Sequence, residues 1–218
     1  MIKIENVEVV GWEHAIRGMR NPLNSWDKSD SGWVDFEEWD EGHGIPDGMG
    51  NAYVIRPNDL DLMKRLAKAG SDHRKYMRMI TVYLDITAPL YWWKEYDTYK
   101  VGTVANSCST MHKIHDKEFT LDDFSHEYFE DSELLPYIID VLNAYRKLYN
   151  NDKKKSDWYQ MIQLLPSSYN QKRTVMLNYE VLANMYHSRK NHKLDEWREF
   201  CKWIEELPYS ELIIGEKE

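Results

Sequence analysis

A short polar segment, residues 107–116, holds the side chains of this sequence that are most often used for catalysis. Ser107, Cys108 and Ser109 precede His112 by a few positions. A serine or cysteine nucleophile needs a base such as histidine beside it. The segment has neither the glycine-flanked serine of a nucleophile elbow nor a placed acid that would orient the histidine. We therefore interpret it as an ordinary loop, and the sequence names no catalytic residue.

The same segment contains two histidines, His112 and His115, whose spacing could present both to a metal ion from one helical turn. The segment is predicted to be a loop, and no third ligand has a defined place. Surface histidines are the favoured interpretation, so no metal is predicted. The glycine motifs that cradle phosphates in many nucleotide-binding proteins do not occur in the chain. An acidic run at residues 37–41 is interpreted as a solvated surface.

The composition indicates a globular chain with a core of its own. Its 218 residues fit a single domain, 1–218, and 42% of them are hydrophobic. The formal net charge of −9 argues against binding to polymeric nucleic acid, which depends on lysine and arginine neutralising phosphates. No apolar run approaches the roughly 20 residues of a membrane span, and no secretory leader is recognisable. Because Cys108 and Cys201 are too few for a disulfide framework, the predicted compartment is the cytoplasm.

Periodic patterns predict the elements that must position the polar segments. Residues 2–10 alternate apolar and polar, with a bulge expected at Glu5 and Asn6, and residues 76–86 are predicted to form a long strand. Asn58 is predicted to cap a helix that ends at Gly70. These patterns indicate a helix-rich α/β chain. Helices are predicted at residues 11–17, 58–69, 88–97, 134–148, 157–165, 178–189 and 194–207.

Residues 21–57 form a stretch rich in Trp, Gly and Asp without a helical or strand period, and we interpret it as an irregular arm. Tryptophans occur there at Trp26, Trp33 and Trp39, and aromatic residues occur again at residues 91–93. Such rings suit stacking on a flat ligand or a subunit interface. They would equally fill an ordinary core, and the sequence leaves both interpretations open.

A block of motifs lies near the C-terminus, in residues 164–197. Pro166 precedes Asn178 by twelve positions, and Asn184 and Arg189 follow at fixed spacing. This pattern resembles the C-terminal block of flavin-dependent thymidylate synthases, a leucine-proline turn and a short strand followed by N-x-R-S-L-x-N-F-x-x-x-R. The resemblance implies that the two asparagines help to hold the flavin. It also implies that the arginine reaches the phosphate of a nucleotide, which an arginine can bind bidentately.

A second stretch resembles the same family. Residues 66–87 look like the family's helix, Gly-His turn and long strand, and the resemblance makes His73 a cofactor-binding residue. Residues 89–114 correspond to the family's Q-x-x-R-H-R signature and its downstream serines. A glutamate takes the place of the glutamine, a lysine keeps the last basic position, and a serine matches after a one-residue insertion. By resemblance, the nucleotide-binding positions are Glu95, Lys100, Ser109 and Arg189.

Several arginine positions of the family carry other residues in this chain. They are occupied by Thr98, Met111, Ile162 and Glu180. Each charge-assisted bond to a phosphate is worth roughly 1.5–3 kcal/mol. The resemblance therefore leaves Lys100 and Arg189 as the basic residues of the expected nucleotide site.

The resemblance implies a fold and a reaction. The fold would be α/β (α+β-like), with a central mostly antiparallel sheet flanked by helices. The reaction would be methylation of dUMP to dTMP with methylenetetrahydrofolate and NADPH on FAD, in homotetramers that share active sites between subunits. The alternative is a diverged homologue that has lost this reaction and binds another nucleotide or flat ligand, or acts as an interaction protein. Asn178, Asn184 and Arg189 are expected to project into one cleft lined by the loop around Ser109.

Overall fold

A computed structural model describes residues 2–35, 44–46 and 50–215 of the chain. The acidic run at 37–41 and Trp39 lie outside the described residues. The strands are β1 (Lys3–Val10), β2 (Gly32–Asp35), β3 (Gly44–Pro46), β4 (Asn51–Val54), β5 (Thr81–Pro89), β6 (Val104–Ser107) and β7 (Asn170–Asn178). The helices are α1 (Trp12–Arg20), α2 (Pro57–Lys68), α3 (Leu90–Tyr96), α4 (Leu134–Asp152), α5 (Lys155–Leu164), α6 (Tyr179–Arg189), α7 (Asp195–Glu205) and α8 (Glu211–Ile214).

The main sheet is antiparallel, with the strand order β1-β5-β7-β6. In β5, alternate side chains such as Val82, Leu84 and Ile86 are buried, and β7 adds Val175 and Leu177 to the same core. This alternation follows from the two-residue period of a strand, which turns successive side chains to opposite faces. The predicted fold class, an antiparallel sheet flanked by helices, is confirmed.

The bulge predicted in the first strand is confirmed. The pairing of β1 with β5 shifts register between Glu5 and Glu8, and Asn6 has a positive φ of 53°. Asparagine is one of the few residues other than glycine that tolerates this conformation. Its side chain donates a hydrogen bond to Asp85 Oδ2 at 2.9 Å, so the bulge is tied to the neighbouring strand.

The helices predicted from apolar spacing are also confirmed, with ends that shift by a few residues. The largest shift is in α4, which continues four residues beyond the predicted end at Leu148. Helix α8 was not predicted, because four residues are too few to show a period.

Rings form much of the core, which settles part of the question that the aromatic content left open. Trp92, Trp93 and Trp197 are fully buried. The ring centroid of Trp92 lies 4.9 Å from that of Trp93 and 4.9 Å from that of Trp197. The core interpretation therefore holds for Trp92 and Trp93 of α3. In contrast, Trp26 is 50% exposed and Trp33 is 53% exposed.

The interpretation of residues 21–57 as an arm without strands was wrong in part. Strands β2, β4 and β3 pair antiparallel in that order as a second, small sheet. Each strand has three or four residues, which is too short for an alternating pattern to stand out in the sequence. The irregular part includes 3-10 turns at Asn21–Leu23 and Trp26–Lys28.

The predicted cap of α2 was also wrong. The helix begins at Pro57, so Asn58 lies inside its first turn. The carboxylate of Asp30 accepts hydrogen bonds from the backbone N–H groups of Asn58 at 3.0 Å and of Asp59 at 3.1 Å. A side chain from the preceding segment thus satisfies donors that a local cap would otherwise satisfy. The predicted end is confirmed, because Gly70 has a positive φ of 102° just after the helix.

Two strands of the main sheet were not predicted from periodicity, and one was placed too early. Residues 76–78 belong to the 3-10 turn Arg74–Arg78, and β5 begins only at Thr81. Strand β6 shows no alternating pattern because all four of its side chains are exposed. Strand β7 does not follow from the periodic patterns, although the resemblance implied a short strand before Asn178. Among the described residues, no helix has the length and apolar character needed to cross a membrane.

Candidate functional site

Asn178 closes the junction between β7 and α6. Its Oδ1 accepts a hydrogen bond from Val181 N at 3.0 Å, so the predicted helix cap is confirmed. Its Nδ2 lies 3.5 Å from the carbonyl oxygen of Gly102, in the loop that follows α3. Gly102 has a positive φ of 77°, and a Cβ there would lie 2.7 Å from Asn178 Nδ2. A glycine therefore lets this loop pack directly on the start of α6.

Replacing Asn178 by alanine is expected to lower the free energy of unfolding by about 0.5–2 kcal/mol, because Val181 N loses its acceptor. Asn178→Asp keeps an oxygen in the same place and should retain most of the stability. Urea unfolding of the three proteins measures the difference. Equal midpoints for the alanine variant and the parent would show that the cap does not contribute.

A cluster of charged side chains lies along the next turn of α6. Glu180 is 8% exposed, and its carboxylate is bound by Arg78, which donates from Nε and, at 3.3 Å, from Nη2. Arg74 Nε lies 3.5 Å from the same carboxylate, and Arg74 Nη2 donates to Asn184 Oδ1 at 3.1 Å. Two arginines thus flank one buried glutamate, and together they exceed its charge by one. His73, just before these arginines, is exposed.

A cavity of about 510 Å³ adjoins this cluster, within the range of small-molecule sites. Its lining carries four cationic side chains and two carboxylates, a balance of +2 with histidine neutral. A net positive lining in a chain of net charge −9 favours an anionic ligand. The cationic residues are Lys64, Arg65, Lys68 and Arg74, the acidic ones are Asp61 and Glu211, and His187 is the residue of α6 that lines it.

The other end of α6 carries Arg189, which is held on several sides. Its Nη1 donates to Glu95 Oε2 at 2.7 Å, and its Nε donates to Tyr99 Oη at 3.0 Å. Its guanidinium lies 4.9 Å from the ring of Trp197 and 5.6 Å from that of Tyr99. Glu95 Oε2 also accepts from Trp197 Nε1 at 3.1 Å and lies 3.4 Å from His192 Nε2. The helix and residues 95–99 therefore share one packed cluster.

The structure brings some predicted site residues together and leaves others apart. Glu95 and Arg189 contact each other, whereas Asn184 contacts Arg74 on a different side of α6. Leu182 and Met185, which lie on α6 before Arg189, are fully buried. The face of the helix that carries them therefore packs against the core.

Ser109 and Lys100 take no part in these clusters. Ser109 Oγ accepts from the backbone N–H groups of Met111 at 3.1 Å and His112 at 2.8 Å, as in an ordinary turn. Cys108 N donates to the carbonyl of Lys172, six residues before Asn178 and thus roughly 20 Å from it along β7. Lys100 is exposed in the loop after α3. Within one chain, the loop around Ser109 does not reach the start of α6.

His115, one of the two histidines considered as metal ligands, has other partners. His115 Nε2 lies 3.2 Å from Asp116 Oδ1, and its ring meets Tyr149 edge-on at 4.8 Å. In the part of the chain that the structure describes, no three His, Cys, Asp or Glu side chains are grouped so as to hold a metal ion.

Five residues of these clusters were not identified from the sequence: Arg74, Arg78, Tyr99, His192 and Trp197. They come from several separate elements, and each contacts α6 or Glu95 only through the tertiary fold. Tyr99 lay inside the segment compared with the signature, but a tyrosine there carried no signal. No local spacing could have found the others.

The chain has an antiparallel main sheet packed with helices, and polar side chains line one edge of α6. This architecture places it in the broad class of α+β folds. No family model matches the sequence, and no curated protein does so either. Solved structures do match. A crystal structure of Thymidylate Synthase X (ThyX) from Helicobacter pylori with FAD and dUMP aligns with a TM-score of 0.69 at 14% identity, over 98% of each chain.

A crystal structure of the flavin-dependent thymidylate synthase ThyX from Helicobacter pylori, complexed with FAD and dUMP, also aligns with a TM-score of 0.69. The identity is 14%, over 97% of this chain and 98% of that one. At this identity the likeness concerns the fold. The chain has the fold of flavin-dependent thymidylate synthase ThyX.

Proposed function

We propose that this chain is a flavin-dependent enzyme of the thymidylate synthase type. In the proposal, His73, Asn178 and Asn184 hold FAD, and Glu95, Lys100, Ser109 and Arg189 face a deoxyuridine derivative. dUMP is the nucleotide named for the two Helicobacter pylori structures. Methylenetetrahydrofolate would donate the carbon that methylates the uracil ring, and NADPH would supply the reducing equivalents. When bound, the flavin supplies the hydride chemistry, while the protein supplies position and electrostatics.

The observation that carries the proposal is the contact between Arg74 and Asn184 beside the basic cavity. Arg74 lines that cavity and donates to Asn184 Oδ1 at 3.1 Å. FAD carries a pyrophosphate, and arginine and lysine are the side chains that bind phosphate oxygens most strongly. The residues present therefore fit an anionic ligand at this edge of α6.

The first test is whether purified protein takes up FAD. We expect a yellow protein with flavin absorption, and release of tritium from 5-tritiated dUMP when NADPH and methylenetetrahydrofolate are added. Arg74→Ala should weaken FAD binding about tenfold or more, because one charge-assisted bond to phosphate is lost. Lys75→Ala is the matched control, since it removes one exposed positive charge from the neighbouring position. Protein that stays colourless after incubation with FAD would contradict the proposal.

The second candidate is a homologue that keeps the scaffold, has lost the reaction and binds another nucleotide or flat ligand. The ion pair between Glu95 and Arg189 favours it, because the arginine expected to meet a phosphate already has a carboxylate partner. An interaction protein on the same scaffold is a further form of this candidate. FAD uptake without tritium release would favour the second candidate over the first.

We also propose a homotetramer in the cytoplasm. Ser109 lies roughly 20 Å from the start of α6 along β7, so a site containing both would take Ser109 from another copy of the chain. Light scattering of the purified protein measures the assembly, and a monomeric mass would contradict this part of the proposal.

A further inference from the structure

Arg189 and Glu95 form a pair whose arrangement suggests which ligand the site prefers. We propose that Glu95 occupies the place at which Arg189 would receive a phosphate, so that the site prefers a pyrimidine deoxynucleoside to its 5′-phosphate. This inference rests on the proposed function, because it concerns the ligand of the same site. It makes Glu95 a specificity-determining residue.

Among the described residues, every polar contact to the Glu95 carboxylate uses the same oxygen atom. Arg189 Nη1 and Trp197 Nε1 donate to Oε2 at 2.7 and 3.1 Å, and His192 Nε2 lies 3.4 Å from it. Arg189 is fixed in turn, since its Nε is bound to Tyr99 and its plane lies over the Trp197 ring. The side chain of Glu95 is 34% exposed and that of Arg189 is 21% exposed. Both are therefore packed against their neighbours and do not move freely in solvent.

The charges of Arg189 and Glu95 cancel, because the first contributes +1 and the second −1. Lys100, which the proposed function also places at the ligand, is exposed in the loop after α3, so solvent weakens its attraction for a phosphate. A phosphate that approached Arg189 would either displace the carboxylate or lie beside it as a like charge. At an effective dielectric constant of about 20, one like charge about 4–6 Å away lowers affinity roughly a hundredfold to a thousandfold.

The Glu95 carboxylate can accept a hydrogen bond from a hydroxyl group, but not from a phosphate dianion. Among the described residues, none donates a hydrogen bond to Glu95 Oε1. An ionised carboxylate only accepts hydrogen bonds, and a hydroxyl can donate one, whereas a phosphate dianion has no proton to give. The 5′-hydroxyl of a deoxynucleoside is therefore a suitable partner for Oε1, and the 5′-phosphate is not.

The test compares deoxyuridine and dUMP on the FAD-loaded protein, with flavin fluorescence as the readout of binding. The measured quantity is the ratio of the two dissociation constants in the parent and in Glu95→Gln. Glutamine keeps an oxygen for Arg189 and removes the charge, so dUMP should bind about tenfold more tightly or better, while deoxyuridine changes little. Asp97→Asn is the control: it removes a carboxylate from the turn just after α3, one that pairs with Arg173 at 2.7 Å and does not contact Arg189.

The outcomes separate this inference from the function on which it rests. The inference is supported when the parent binds deoxyuridine more tightly than dUMP and the ratio shifts toward dUMP by more than about fivefold in Glu95→Gln but not in Asp97→Asn. A parent that prefers dUMP, a smaller shift, or an equal shift in the control overturns the inference, while FAD uptake leaves the proposed function standing. Failure of every variant to bind FAD or either uridine ligand overturns both.

Discussion

Replacing Asp59 by alanine is expected to lower the free energy of unfolding by about 3–5 kcal/mol, because the change leaves a buried arginine without its partner. Asp59 is fully buried, and Arg20, which is 4% exposed, donates to its Oδ1 at 2.7 Å. The other oxygen, Oδ2, accepts from Ser29 Oγ at 2.8 Å and from the backbone N–H groups of Asp30 and Ser31 at 3.0 Å. One carboxylate thus ties α1, α2 and the segment between them. Urea unfolding followed by circular dichroism measures the loss.

Asp61→Ala is the matched control for this change. Asp61 lies two residues further along α2 and pairs with Arg65 at 2.9 Å, but both side chains are about two-thirds exposed. An exposed pair of this spacing contributes about 0.3–0.5 kcal/mol. If Asp59→Ala cost no more than Asp61→Ala, the buried network would not stabilise the fold. Replacing Arg20 and Asp59 together by leucine-sized apolar residues should recover only part of the loss, because the donors of Ser29, Asp30 and Ser31 still lack their acceptor.

The same carboxylate makes stability depend on acid. Burial of Asp59 opposes its ionisation, but hydrogen bonds from Ser31, Ser29 and Arg20 outweigh this effect and lower its pKa below the ordinary value of 3.8. A lowered pKa in the folded state means that the stabilisation is present above the unfolded pKa and is lost as the pH falls through the folded one. Unfolding free energy should therefore decrease below about pH 4. Asp59→Asn should be less stable at neutral pH and lack this part of the acid dependence.

The sequence predicted those parts of the fold that rest on local patterns. Asn178 could be recognised as a cap because its side chain bonds a backbone N–H three residues on. The bulge at Asn6 showed as a break in alternation. The cap of α2 could not be recognised, since it is Asp30, separated by 28 residues from Asn58. Strand β6 could not be recognised from alternation, because its four side chains are exposed and it has no buried apolar face.

The candidate site was predictable only as a set of positions. The resemblance selected Glu95 and Arg189 separately, as two residues that would each face a nucleotide. That they bind each other is a contact between residues 94 positions apart, and only the packing of α3 against α6 and α7 creates it. The same holds for Arg74 and Asn184, which are 110 positions apart. A residue type at a motif position therefore does not fix its partner.

Trp197→Ala is expected to have the second large effect, a loss of about 3–5 kcal/mol in the free energy of unfolding. Trp197 is fully buried, with its ring centroid 4.9 Å from that of Trp92 and 5.9 Å from that of Phe200. Its removal would leave a cavity at the centre of the ring cluster. Trp203→Ala, on the same helix but half-buried, should cost clearly less. Urea unfolding compares the two variants. Equal losses would show that the ring cluster does not stabilise the fold more than a half-buried tryptophan does.

Trp197→Phe separates the packing role of this ring from its role at the site. Phenylalanine keeps a buried ring but cannot donate to Glu95 Oε2, which Trp197 Nε1 reaches at 3.1 Å. A hydrogen bond to a charged group contributes about 1.5–3 kcal/mol, so the variant should fold with a smaller loss than Trp197→Ala. The variant removes the donor to Glu95 and gives Arg189 a ring with a weaker cation–π interaction. The ion pair between Arg189 and Glu95 should therefore loosen. We therefore expect Trp197→Phe to shift ligand preference toward dUMP in the same direction as Glu95→Gln, by a smaller factor. A preference unchanged from the parent would show that the core ring does not hold the pair in place.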